Sequence, residues 1–83
     1  MKLVYFAWVR QKVGAGEETL DVPANVTNVA ALVEHLRARG GGYAEAFGDA
    51  KRLRAAVNQE HVPFEAAVGP NDEVAFFPPV TGG

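Results

Sequence analysis

The sequence predicts an α+β domain, a mixed β-sheet with one face covered by a single main helix. Three observations carry this. Short segments rich in β-branched and aromatic residues alternate with glycine- and proline-containing turns. One stretch near the middle repeats its apolar residues at helical spacing. The order of the segments leaves that helix as the one long element able to cover the sheet.

Residues 2–9, Lys-Leu-Val-Tyr-Phe-Ala-Trp-Val, read as the first strand. Alternation places Leu3, Tyr5, Ala7 and Val9 on one face and Lys2, Val4, Phe6 and Trp8 on the other. Residues 13–16 form a glycine-rich turn, and residues 17–22 a second strand with Leu20 and Val22 on its apolar side. The two make an N-terminal hairpin. Thr27 caps a helix that starts at Asn28, and Val29, Leu32, Val33 and Leu36 form its apolar stripe at i, i+3, i+4 and i+7. Arg37 and Arg39 suit the negative end of that helix, and Gly40, Gly41 and Gly42 stop it. Residues 43–47 form at most a short helical turn.

Residues 53–57 read as the third strand, with Leu53, Ala55 and Val57 inward. Residues 58–61 turn the chain. Residues 62–64 are a short edge segment, because Pro63 has no N–H to donate to a ladder. Gly69, Pro70, Asn71 and Asp72 make a strong turn. Residues 73–77 are the last strand, Val74 and Phe76 inward, Ala75 and Phe77 outward, closed by Pro78 and Pro79. The order strand, strand, helix, strand, short strand, strand is that of a β-grasp, or ubiquitin-like, domain. A ferredoxin-like fold would need a second full helix, for which residues 43–52 are a weak candidate.

Bulk properties bound the function. A chain of 83 residues holds one small domain, and such a domain buries only roughly 60–65% of its unfolded surface. It has too few side chains both to fill a core and to line a deep catalytic pocket, which favours a binding or carrier module over a free-standing enzyme. A net charge of −2 without a basic stripe is a poor fit to nucleic acid. No apolar run approaches the ~20 residues of a membrane span, and the start lacks the pattern of a signal peptide. With no cysteine there is no disulfide, thiolate metal site or catalytic thiol, and cytoplasm is the default compartment. His35 and His61 share no ligand spacing, so no bound metal is expected.

Two features are candidates for function. The first is the ending Val80-Thr81-Gly82-Gly83. Pro78 and Pro79 stop the sheet ladder and favour an extended exit. Val80 and Thr81 are β-branched and stay extended. Gly82 and Gly83 carry no Cβ and can thread a narrow channel. The expectation is a single domain, residues 1–83, with a flexible tail over residues 78–83 that delivers a carboxylate to another protein. A carboxylate is a poor electrophile and must first be activated, typically as an acyl-adenylate. The second feature follows from strand parity. Phe6, Trp8 and Phe77 form one exposed aromatic patch beside the tail exit, and clustered exposed aromatics mark protein interfaces.

The run from Asp72 to Gly83, Asp-Glu-Val-Ala-Phe-Phe-Pro-Pro-Val-Thr-Gly-Gly, resembles the C-terminus of the MoaD family, the small subunit of molybdopterin synthase. Phe6-Ala7-Trp8-Val9-Arg10 followed by Val13-Gly14 resembles that family's first strand and turn, and Ala55-Ala56-Val57-Asn58-Gln59 its third strand. The resemblance implies that a MoeB-like enzyme adenylates the Gly83 carboxylate with ATP and that a sulfur donor protein converts it to a thiocarboxylate. It implies no bound cofactor on this chain, and no catalysis by this chain alone. The tail, Pro78 to Gly83 with Gly82 and Gly83 at the reacting end, would insert into a MoaE-like large subunit, with a heterotetramer expected. There the sulfur passes to a cyclic pyranopterin phosphate. Two sulfurs per product require two carriers. The resemblance also adds His61 to the partner-binding surface. The alternatives are a ThiS-type carrier for thiazole formation, another ubiquitin-like sulfur carrier or modifier, and an interaction module with an inert tail.

Overall fold

A computed structural model describes residues 1–79. Five strands form one mixed sheet: β1 (Lys2–Tyr5), β2 (Glu17–Thr19), β3 (Arg54–Val57), β4 (Glu60–Val62) and β5 (Glu73–Phe77), in the spatial order β2-β1-β5-β3-β4. The central pair β1 and β5 is parallel, with Leu3 opposite Val74 and Tyr5 opposite Phe76; the other pairs are antiparallel. The inward residues of these two strands, Leu3, Tyr5, Val74 and Phe76, are all buried. The main helix α2 (Val29–Arg37) lies over them and buries Val29, Leu32, Val33 and Leu36, the four residues of the predicted stripe. Each such side chain contributes about 1.5–3 kcal/mol relative to exposure. This is the β-grasp arrangement.

The first strand is shorter than predicted. It ends at Tyr5, and residues Ala7–Val13 form a helix, α1. The Phe6 N–H still donates to the Phe76 carbonyl at 3.1 Å, but Ala7 turns to φ 53 and the carbonyl of Phe6 accepts from Val9 and Arg10. Val9 and Val13, four residues apart, then face the core, and Gly14 closes the helix at φ 91. Packing of this i, i+4 pair outweighs the strand preference of the Phe-Ala-Trp-Val run. Ala7, expected inward, is exposed. The second strand stops at Thr19, although the amide of Leu20 continues the pairing to the carbonyl of Met1.

The cap of α2 is Asn28, not Thr27: its Oδ1 accepts the Ala31 N–H at 2.8 Å. The carbonyl of Thr27 is taken by the Val68 N–H, and the carbonyls of Ala66 and Phe64 accept from Val29 and Ala30. The loop before β5 thus satisfies the open N–H groups of the helix start. α2 ends at Arg37, ahead of the glycines expected to stop it, with Ala38 as a right-handed cap and a tighter turn that runs to the Gly40 N–H. Gly40 and Gly41 instead start a further helix, α3 (Gly41–Phe47), where only a turn was expected. Ala46 and Phe47 of α3 enter the core, with Phe47 edge-on to Tyr5 and Phe76. The turn after β3 is also tighter than predicted. Val57 pairs with Glu60, leaving Asn58 and Gln59 as a two-residue loop with φ 51 and 71, the signature of a type I′ hairpin.

A polar knot joins β1, β2 and α3. The Glu18 carboxylate accepts hydrogen bonds from Tyr5 (2.7 Å), Tyr43 (2.5 Å) and Arg39 (3.0 Å). Partial burial works against its charge, but these three donors outweigh it and hold the carboxyl below its ordinary value. Burial and the neighbouring carboxylate push the Tyr5 hydroxyl far up, so it stays a donor. A carboxyl with a depressed folded pKa stabilises the fold above its unfolded pKa, and that contribution fades as pH falls through the lower folded value. Glu18→Gln is therefore expected to flatten the acid limb of the stability profile. Urea titrations across the acidic range check this, and an unchanged acid limb rules it out.

Candidate functional site: the open sheet face

The face of the sheet away from α2 is built from rows of facing residues. Val4 stands opposite Ala75, Ala75 opposite Ala56, and Ala56 opposite His61, which runs one row across four strands. Two alanines at its centre make a low floor. Phe77 rises at the end of β5, and the His61 ring leans on it with centroids 5.1 Å apart. Phe6, just past β1 and beside β5, closes the other side; at 50% exposure it is the large hydrophobic residue left open to solvent among those described. Together they border a shallow groove of about 480 Å³, with Gln59 and Glu73 at its far end. Small residues flanked by rings give a surface with a defined shape, which suits docking.

The structure brings three of the expected partner-binding residues together: Phe6, His61 and Phe77. His61 lies on β4, opposite Ala56, rather than in the turn where the sequence placed it. Trp8 does not share the patch. Because the chain enters α1 at Ala7, strand parity fails there, and Trp8 packs partly buried against the core, its ring 4.9 Å from the Arg52 guanidinium. Pro78 and Pro79 follow Phe77 directly and are half-buried, so the chain leaves the sheet at the aromatic end of the groove. Val80, Thr81, Gly82 and Gly83, the remaining predicted site residues, lie outside the described residues. Ala56, Gln59 and Glu73 were missed as groove residues. Parity from Ala55 and Val57 could have found Ala56, whereas Gln59 depends on the hairpin type.

Electrostatics order the end of the groove away from the tail. Lys2 lies 3.7 Å from Glu17 and 3.9 Å from Glu73. Asp72 accepts from the Asn58 side chain and the Gly69 N–H, which hold its carboxyl below the usual range. Among the described residues, no three His, Cys, Asp or Glu side chains gather as metal ligands, and no helix is long and apolar enough to cross a membrane. The site offers shape and apolar surface.

Fold and site define a small β-grasp domain with a shallow, ring-walled groove on its open sheet face. The sequence model of the ThiS family matches residues 3–83, and the chain belongs to that family. It is similar to the molybdopterin synthase sulfur carrier subunit of Escherichia coli, with 46% identity over 100% of this chain and 99% of the relative. The protein of the same name from Haemophilus influenzae is 37% identical over the same shares. Among solved structures, a protein described as molybdopterin converting factor subunit 1 of Pyrococcus furiosus superposes with a TM-score of 0.69 at 26% identity, covering 95% of each chain. The small archaeal modifier protein 1 of Haloferax volcanii shares the fold, with a TM-score of 0.66 at 21% identity over 96% of this chain and 97% of that one.

Proposed function

We propose that this chain is the sulfur carrier subunit of a molybdopterin synthase. One observation carries the reading: similarity along the whole chain to proteins of that name, reaching 46% identity, in a family with the same β-grasp fold. The groove of Phe6, His61 and Phe77 supports it, because a carrier without catalytic groups must be recognised by the proteins that act on it. ThiS-type supply of sulfur for thiazole formation is the other reading. The family model bears that name, but the relatives matched along the full chain bear the synthase name.

The chemistry proposed for the tail runs in three steps. A Gly83 carboxylate oxygen attacks the α-phosphorus of ATP in a MoeB-like enzyme, pyrophosphate leaves, and an acyl-adenylate results. A sulfide-level sulfur from a donor protein attacks the acyl carbon, and AMP leaves with the C–O bond electrons. The resulting Gly83 thiocarboxylate enters a MoaE-like large subunit and gives its sulfur to cyclic pyranopterin monophosphate. Water then attacks the acyl carbon, the C–S bond breaks with its electrons left on the sulfur that stays on the pterin, and the carrier departs as the carboxylate, ready for another cycle. The chain binds no cofactor in this scheme; Gly82 and Gly83 pass where a Cβ would obstruct, and the compartment is the cytoplasm.

Intact-mass spectrometry tests this directly. The chain incubated with ATP, a MoeB-like enzyme and a sulfide source is expected to gain about 16 Da, one oxygen exchanged for sulfur, only when ATP is present. No ATP-dependent exchange overturns the carrier reading. Exchange followed by sulfur transfer to a thiazole precursor but not to the pterin decides for the other carrier.

A further inference from the structure

The chain has eight Lys and Arg residues. Lys2, Lys12, Arg37 and Arg39 each stand within 4.0 Å of a carboxylate. Among the described residues, Arg10, Lys51, Arg52 and Arg54 have no such partner; Arg10 stands apart on α1, its guanidinium beside Gly16, whereas Lys51, Arg52 and Arg54 cluster. They are consecutive or nearly so, and all three are exposed. Arg54 opens β3 directly opposite Phe77, so it adjoins the aromatic end of the groove. Its guanidinium donates to the carbonyl of Leu53 at 2.8 Å, which fixes its place without neutralising it. Arg52 is held over the Trp8 ring. The nearby Asp49 carboxylate accepts the Lys51 backbone N–H at 3.1 Å.

The opposite end of the same face carries the acids. Glu73 stands opposite Lys2 there by register, and Glu17 lies 3.7 Å from the same lysine. Charge along the open face thus runs from Arg54 beside Phe77, where the chain leaves the sheet, to Glu73 at the far end, and Lys51 and Arg52 extend the positive end on the short turn (Ala50–Arg52) that leads into β3. An apolar groove alone fixes little about which way round a partner sits. A sorted pair of charges does, because the reversed orientation sets like charges together.

We propose that Lys51, Arg52 and Arg54 form an orienting contact with an acidic rim around the mouth of the channel that receives the tail. The occupant is the large subunit of the synthase, and the inference rests on the sulfur-carrier reading. The contact adjoins the groove through Arg54 and Phe77, so the apolar surface supplies contact area while the cations steer encounter and set direction. Arg52 is preorganised by Trp8, which lowers the entropy lost on pairing.

The test is titration calorimetry of the full chain and of the R52E/R54E variant against the large subunit, at ionic strengths of about 0.05 M and about 0.5 M. The dissociation constant of the variant is expected to rise about tenfold or more at low salt, with the gap closing at high salt. The charge-neutral variant R52Q/R54Q, which spares the fold any added repulsion, is expected to show a smaller loss with the same salt dependence. Equal affinities at low salt overturn the proposal. So does a deficit that persists unchanged at high salt, which marks lost packing around Trp8. Unchanged affinity with a raised KM for the phosphate-bearing pterin assigns the cations to substrate and also overturns it. If the unaltered chain gains sulfur but does not bind the large subunit, the contact fails while the carrier chemistry stands; if it gains none, the carrier reading itself fails.

Discussion

Deletion of Gly83 is expected to abolish sulfur transfer while leaving binding to the large subunit close to that of the intact chain. The shortened chain ends in the carboxylate of Gly82, chemically the same group, but set back by one residue, about 3.5 Å along an extended chain. A misplacement of only about 1 Å can cost a factor of ~100 where reacting atoms must be held in line. Binding, in contrast, is expected to draw on the groove between Phe6 and Phe77, which the deletion does not touch. Phe77→Ala is the mirror experiment. It removes the ring that carries His61 and walls the groove, and is expected to weaken the complex by about 2 kcal/mol or more while an already bound carrier still transfers sulfur. Calorimetry against the large subunit and intact-mass measurement of thiocarboxylate separate the two. If loss of Gly83 destroys the complex, the tail and not the sheet face holds the partners together, and an unchanged dissociation constant for the Phe77 variant removes that ring from the interface.

What the sequence revealed of this site followed the length over which a period could be read. The stripe Val29, Leu32, Val33, Leu36 spans two turns, and its residues are the ones α2 buries. In β5, turn residues before it and two prolines after it frame an alternation that correctly points Val74 and Phe76 in and Phe77 out. The stretch from Phe6 to Val13 was harder because two periods overlap in it. Aromatic and β-branched residues favour a strand, while Val9, Val13 and Gly14 have the spacing and the stop of a short helix. The decision lies outside the segment, in the core space that Val9 fills. Trp8 was misplaced for that reason alone, and Phe6, the last residue before the change, was not. Lys51 and Arg52 read in the sequence only as solvated surface, because Arg54 gains meaning only from its register with Phe77, a long-range fact.

The second large effect concerns a residue remote from the groove. Gly42→Ala is expected to destabilise the fold by about 3 kcal/mol or more, lowering the melting temperature by roughly 12 °C or more. Local preference predicts the opposite, since alanine is favoured over glycine in a helix interior by about 1 kcal/mol. The geometry decides. A Cβ on Gly42 would stand 1.7 Å from the backbone carbonyl oxygen of Lys12 and 2.8 Å from its carbon, where α3 crosses the end of α1, and backbone atoms cannot swing aside as a side chain would. Gly40 and Gly41 are a contrast: a Cβ there meets nothing, and an alanine would face only the milder strain of their positive φ, about 1–2 kcal/mol. Denaturant titration of the Gly42 variant settles the sign, and a variant as stable as the parent would mean that the two helices do not approach this closely. The consequence reaches the docking face, because α1 begins at Ala7 with Phe6 as its cap. If α3 pushes α1 away, the Phe6 wall of the groove moves with it, so the fraction of Gly42→Ala that remains folded is expected to bind the large subunit more weakly than the parent even though no groove residue has changed.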